Sequence, residues 1–305
     1  MPEPAPSDAA PPDPAPPAAP IDLGEALALD PVDGDPGTYR ATLTPDWNIV
    51  YVFGGVSMAL AAHGAATALG DPEQTLRSVT ATFVRPVSAG DLEVRTSVLR
   101  RGRFASQVAA DLVGPDGLAL HLVGTFGRAE ETELGYLETS FPAGVVAPAE
   151  APPNPGGGPM GVLPFHQQVE WRPGSDEFAW AADRDPGPAR SASWFRFGRS
   201  QVRDDGTIDP VAVCVPGDVL GPAVGRRFGA WREGRPAMLV LSLSITLDLV
   251  GPWRGEWMLQ HVVSQHAGAG YAFGTAELWN EDRPLVALAS QRARLRLFDP
   301  TVPLV

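Results

Sequence analysis

The sequence predicts an α+β fold in two similar halves, each a curved antiparallel sheet wrapped around one central helix. Three observations carry that reading. The stretch 54–69, GGVSMALAAHGAATAL, has only Ser57, His63 and Thr67 as polar side chains. A helix that is apolar all round must be buried all round. On each side of a Pro- and Gly-rich segment at 145–161 the chain runs strand, helix, then four strand-like runs in succession. A repeat this long is two copies of a domain and not a solenoid.

The elements follow in chain order. Residues 1–20, MPEPAPSDAAPPDPAPPAAP, are a Pro/Ala-rich tract that cannot bury enough surface to offset its ordering entropy, and are expected to be disordered. The first domain is expected over 21–135. It has a strand at 37–43, a short apolar run at 49–53 that reads as a strand, the helix at 54–69, and strands at 78–85, 92–100, 104–112 and 118–126 in a meander. In 92–98 the apolar set Leu92, Val94 and Val98 alternates with Glu93, Arg95 and Ser97. Residues 136–162 are expected as an inter-domain linker and 163–305 as the second domain. Its strands are expected at 166–171, 191–197, 238–250, 256–265, 271–279 and 284–297, with a short helical stretch within 209–224. Leu239, Leu241, Leu243, Ile245, Leu247 and Leu249 alternate with Ser242, Ser244, Thr246 and Asp248, which read as a solvated row. Gly114-Pro115-Asp116-Gly117 and Asn280-Glu281-Asp282-Arg283 read as hairpin turns. One curved sheet around each apolar helix is the hotdog arrangement, so a tandem (double) hotdog is expected.

Composition narrows the function. The 305 residues suffice for one large or two ordinary domains, and 44% are hydrophobic. A formal net charge of −13 disfavours nucleic acid and anionic membrane as partners, since both need a cationic face. There is no lysine, so every fixed side-chain cation is arginine. The single cysteine, Cys214, permits neither a disulfide within the chain nor a Cys-based metal site, and fits a reducing compartment. No apolar run reaches membrane-span length, and the N-terminus lacks the basic and apolar regions of a secretory signal. A cytoplasmic location is expected. His63, His121, His166, His261 and His266 form no tight metal pair and read as core or solvated histidines, so no metal and no cofactor is expected.

Several motifs are set aside. Gly55-Val56-Ser57-Met58-Ala59 resembles a nucleophile elbow, but that turn needs alternating strands and helices and a final glycine. Ser57 therefore reads as a first-turn helix residue. Asp116 and His121 match the D-x4-H spacing of hotdog hydratases but straddle a hairpin turn, not the approach to a helix. GAGYAFG at 268–274 lacks dinucleotide-binding spacing.

The chain resembles the double-hotdog acyl-CoA thioesterases of the medium-chain, TesB-like kind. The residues that carry the likeness are VFGG at 52–55, SVTATFVRPVSAGDLEV at 78–94 and LRRGRFASQVAADL at 99–112 in the first half. In the second they are LSLSITLDLVGP at 241–252, EWML at 256–259 and LVALASQRARLR at 285–296. The resemblance implies a water-activating site of an acid, a hydroxyl and an amide. Motif by motif these fall on Asp218 in VPGDVLGP, Ser242 in LSLS and Gln291 in ASQRA.

The residues themselves give each position a second reading. Gln291 shares a face with Leu285, Ala287, Ala289, Ala293 and Leu295, and an amide on an apolar stripe must find partners or cost about 1–3 kcal/mol. Those partners are equally met by a purely structural amide. Asp218 follows Pro216, a departure that leaves it equally readable as a helix-capping carboxylate. Ser242 heads the polar row. Where the family commonly has an Asp-His pair, this chain has Ser244 and Ile245. The first helix has no acid, so one site per pair of hotdogs is expected.

Gly54 and Gly55 either offer helix N-terminal N–H groups to a thioester oxygen or serve tight packing alone. Phe53, Met58 and Phe83 are candidate lining residues. Arg100, Arg101 and Arg103 are candidate partners for the phosphates of coenzyme A, or else an exposed charged hairpin. The resemblance implies hydrolysis of acyl-CoA to free acid and CoA, with acyl-CoA or an acyl-carrier thioester as partner. A non-catalytic acyl-thioester binding protein of the same fold is the alternative, and a hotdog hydratase a third reading. Long strands with apolar outer rows leave room for a homo-oligomer.

Overall fold

Alternating apolar positions need a curved surface to cover the 54–69 helix, and the chain builds that surface from nearly every strand the pattern predicts. The computed structural model describes residues 19–130, 133–154, 162–175, 185–229 and 236–299. The first half holds α1 (Leu23–Ala26), β1 (Asp30–Pro31), β2 (Thr38–Leu43), α2 (Gly54–Leu69), β3 (Thr75–Phe83), β4 (Gly90–Arg100), β5 (Ala105–Gly114) and β6 (Gly117–Gly127). The second holds α3 (Pro164–Gln168), β7 (Val169–Pro173), β8 (Arg190–Phe197), α4 (Cys214–Gly217), α5 (Leu220–Phe228), β9 (Ala237–Leu249), β10 (Met258–Gly268), β11 (Tyr271–Asn280) and β12 (Leu285–Phe298). The expected disordered tail lies outside the described residues except for positions 19 and 20, as do residues 155–161 of the Pro/Gly-rich segment.

Among the described residues the strands form one antiparallel sheet in the order β1-β2-β4-β5-β6-β3-β9-β12-β11-β10-β8-β7. The halves share a topology, which differs from the expected meander. Hairpins join β4–β5–β6 and β10–β11–β12, but β3 pairs with β6 and β9 with β12. The reason is spatial. β3 and β4 lie three strand positions apart, about 14 Å. The connecting residues 84–89 can span about 20 Å when extended, and they include Pro86, which cannot donate to a ladder. The two halves meet at β3 and β9, where Val79 faces Leu247, Ala81 faces Ile245, and the Thr80 and Thr246 hydroxyls lie 3.3 Å apart.

α2 runs unbroken over Gly54–Leu69, with eleven of its residues buried between β3–β6 on one side and α4 on the other. Gly70 ends it in the left-handed region at φ 64°, and Arg101 Nη1 donates to Leu69 O at 2.7 Å. One apolar core runs through both halves, from Leu43 and Leu60 to Val215, Leu247 and Leu278. No helix among the described residues is long and apolar enough to cross a membrane.

Three local expectations are corrected. Residues 49–53 form no strand; they turn back on themselves, with a single bridge between Asn48 and Val52. The strand expected at 166–171 starts at Val169, because Pro164, with φ already set for a helix, opens the short α3. Part of the expected linker is docked. Phe141 and Val145 pack on a cluster of Trp194, Trp257, Trp279 and Leu285, and Trp194 Nε1 donates to Val146 O at 2.8 Å.

Candidate active site

The expected helical stretch within 209–224 is broken into pieces, and the break creates the site. Asp209 caps a 3-10 turn, Pro210–Val213, by accepting from Val211 N at 2.8 Å. α4 follows, with Pro216 inside its single turn, and stops at Gly217. Asp218 leaves helical geometry at φ −90°, ψ 80°, and α5 starts two residues later. In a continuous helix the N–H groups of Val219 and Leu220 would bond to the carbonyls of residues 215 and 216. Here both donate instead to Gln291 Oε1, at 3.2 and 2.9 Å.

Gln291 faces inward from β12 and is buried. Its Nε2 donates to Asp218 Oδ1 at 2.7 Å and to Ser242 Oγ at 2.8 Å. Ser242 Oγ donates to the same Oδ1 at 2.8 Å, and the Gly55 N–H donates to the Asp218 carboxylate. The three residues implied by the resemblance thus meet around one carboxylate at the N-terminus of α2. Desolvation pushes the Asp218 carboxyl above the usual carboxylate range, while the hydrogen bonds from Ser242, Gln291 and Gly55 pull the other way.

Ser242 arrives by a route that strict alternation hides. Gln291 pairs with Ile245 and Arg292 with Ser244, but Ala293 pairs with Ser242, so Leu243 is an extra residue on β9. This β-bulge turns Ser242 inward onto the face of Ile245 and Gln291 and leaves Leu243 37% exposed. The expected solvated row therefore holds for Ser244 and Thr246 but not for Ser242. Ile245, in the place of the family's second Asp-His residue, is a fully buried wall beside the site, while Ser244 lies on the opposite face.

The glycine doublet is explained by what lies against it. A Cβ on Gly54 would stand 2.4 Å from Asp218 Oδ2 and 3.0 Å from the Phe83 ring. A Cβ on Gly55 would stand 2.6 Å from Val215 O and 2.7 Å from Cys214 O. The doublet packs α2 tightly on α4, and the Gly55 N–H is taken by Asp218 and not held free for a thioester oxygen.

The other candidates separate. Phe83 is partly buried against Gly54, at the point where β3 and β9 stop pairing. Phe53 stacks on Phe165 of the second half with ring centroids 4.1 Å apart. Met58 is wholly enclosed in the core and presents no surface to the site. Arg100, Arg101 and Arg103 are not at this end of α2. Arg101 caps Leu69, about 22 Å along the helix from Gly54, and Arg103 lies over the Phe104 ring. The expectation failed because the β4–β5 hairpin reaches the C-terminal end of the helix it covers. Ser57 is buried, its Oγ turned back to Phe53 O at 3.4 Å. Asp116 lies in the β5–β6 turn, and His121 pairs with Asp111 at 2.5 Å on the strands.

One residue escaped the sequence reading. Gln260 on β10 is 2% exposed and bonds to the same broken helix through Pro216 O, at 2.9 Å. Its signal was available: it shares the inward row of β10 with Met258 and Val262, as Gln291 shares that of β12 with Ala289 and Ala293.

Residues 43–127 match the acyl-CoA thioesterase N-terminal domain, and residues 142–295 match the acyl-CoA thioesterase C-terminal domain. The chain belongs to the acyl-CoA thioesterase family. Within solved structures, this family member is similar to acyl-CoA thioesterase II TesB2 from Mycobacterium marinum. Identity there is 20% and the TM-score 0.66, with 90% of this chain and 98% of that one covered. It is also similar to a hot dog fold protein of unknown function from Alicyclobacillus acidocaldarius, at 18% identity and TM-score 0.71, covering 90% and 97%. These likenesses establish the tandem hotdog fold. An uncharacterized protein of Mycobacterium tuberculosis is 32% identical over 159 residues, 47% of this chain and 55% of the relative. The chain thus spans about half the length of the curated relatives it matches.

Proposed function

We propose that this protein hydrolyses acyl-CoA thioesters to the free acid and CoA, with Asp218 as general base toward water. The observation that carries the reading is the carboxylate held by Ser242, Gln291 and the Gly55 N–H, groups contributed by both halves. Two donors occupy Oδ1. Oδ2 lies over Gly54, with the Phe83 ring as its neighbour there, and in the proposed step it accepts the proton of an incoming water. The water oxygen attacks the thioester carbonyl carbon. The oxyanion that forms meets the first-turn N–H of Gly54, which has no intrahelical acceptor. Collapse expels the CoA sulfur as thiolate, and Asp218 returns the proton to it. No covalent enzyme intermediate is required.

Substrate enters where β3 and β9 part beyond Thr82 and Ser244, past Phe83. Arg85, exposed two residues beyond Phe83, donates from Nη1 to Leu118 O at 3.1 Å by the β5–β6 turn.

Thiol release from a panel of acyl-CoAs, with wild type and Asp218→Asn, tests the reading. Release by wild type and a loss of about a hundredfold or more in the variant, with binding retained, is expected. Stabilisation of wild type by acyl-CoA without any thiol release would replace the enzyme with the non-catalytic binding protein.

A further inference from the structure

We infer that Gln260 is a positioning residue for Asp218: it holds the carbonyl end of the helix break, as Gln291 holds the amide end. The inference rests on the reading of Asp218 as base given above.

The break between α4 and α5 leaves orphan groups on both sides. The amide side, Val219 and Leu220 N–H, is taken by Gln291 Oε1. On the carbonyl side, Pro216 O would accept from Leu220 N–H in a continuous helix. That donor is diverted, and Gln260 Nε2 replaces it at 2.9 Å. A buried carbonyl left without a donor is costly, so the chain would be drawn back toward a continuous helix. Closing the helix would rotate Asp218 away from Ser242 and Gly55.

Gln260 is itself fixed from behind. Its Oε1 accepts from Trp171 Nε1 at 3.1 Å and from Ser193 Oγ at 3.3 Å. The Trp171 indole N–H, which can only donate, settles the orientation of the amide and leaves Nε2 for Pro216 O. Trp171 and Ser193 come from β7 and β8, and Gln260 from β10. Three strands of the second half thereby fix a turn two residues before Asp218. None of these atoms touches the space above Gly54, so the role is to place Asp218 and not to meet substrate.

The experiment compares wild type with Gln260→Leu and Gln260→Glu, reading kcat, KM and residue-resolved amide exchange. For Gln260→Leu, kcat is expected to fall about tenfold to a hundredfold with KM within about twofold, as for a displaced catalytic group. The amides of Val219 and Leu220 are expected to exchange at least about tenfold faster, while those of β11 and β12 keep their wild-type rates. Gln260→Glu keeps the acceptor for Trp171 and Ser193 and regains the donor only when protonated. Its kcat relative to wild type is therefore expected to rise as pH falls, at pH values where both proteins are folded. A kcat within twofold of wild type, or faster exchange spread evenly over the sheet, would overturn the inference and leave Gln260 a structural amide. If wild type releases no thiol, the proposed function fails by itself, and the exchange of Val219 and Leu220 alone decides Gln260.

Discussion

Asp218, the proposed base, carries a cost to stability in its own burial. Its carboxyl is raised above the ordinary range chiefly by desolvation, so the folded state prefers the protonated form. The contribution is fully favourable below the unfolded pKa of about 3.9 and is lost as pH rises through the higher folded value. At neutral pH the ionised group therefore weakens the fold that holds it. Asp218→Asn removes that charge, so its melting temperature is expected to equal or exceed that of wild type at pH 7 to 8. The difference should shrink or reverse near pH 4. Calorimetry across that range checks it, and a variant clearly less stable at pH 8 would show that the hydrogen bonds outweigh desolvation. Cys214 is the opposite case. Burial and the nearby Asp209 charge push its thiol up to about 12, so a thiol reagent is expected to leave it unmodified in the folded protein and to react only on denaturation.

At the scale of elements, the α2 N-terminus and the α4–α5 break make one contact, and the two glycines divide its work. Alanine is favoured over glycine in a helix by about 1 kcal/mol, so stability should rise at both positions if propensity decided. At Gly55 the new methyl would meet backbone of Cys214 and Val215, which cannot step aside without moving α4. At Gly54 it would meet the ends of two side chains, Asp218 and Phe83. Gly55→Ala is therefore expected to lose about 3 kcal/mol or more, at the upper end of overpacking costs. Gly54→Ala should lose less stability yet lose most thiol release, because Asp218 Oδ2 must move. Urea unfolding and turnover of both variants separate the two effects.

These contacts also mark where sequence reading succeeds and where it stops. The bounds of α2 were legible at both ends, because an apolar segment closed by Gly70 has few alternatives. The burial of Gln291 was legible because a polar amide interrupted an apolar row, while its place beside Asp218 was implied only by the resemblance. The reading of Ser242 as part of the solvated row failed because a β-bulge adds one residue and inverts every face before it, and nothing local in LSLS announces the bulge. The crossing of β3 to β6 was missed for a related reason: strand order is decided by distant pairing, not by alternation. The place of Arg101 depended on which end of α2 the β4–β5 hairpin covers, and spacing along the chain does not say.

For the whole molecule, the two halves are copies in topology but not independent in structure. β3 and β9 complete one sheet across the boundary, Phe53 stacks on Phe165 across it, and one core spans both sides. Asp218, the proposed base, sits in the second half and one of its donors in the first. We propose the division 21–135 and 163–305, joined by a connection over 136–162 whose residues 141–151 ride on the second half. If the halves were autonomous, each would unfold on its own. The shared core instead predicts one cooperative transition for the full chain, with calorimetric and van't Hoff enthalpies that agree. The isolated segment 163–305 is expected to fail to fold, since it would bare the β9 edge and the apolar faces of α4 that α2 covers. Differential scanning calorimetry of the full chain and circular dichroism of the segment test both expectations. Two resolved transitions, or a segment that melts cooperatively alone, would show that the glycine contact joins two finished domains and does not complete one.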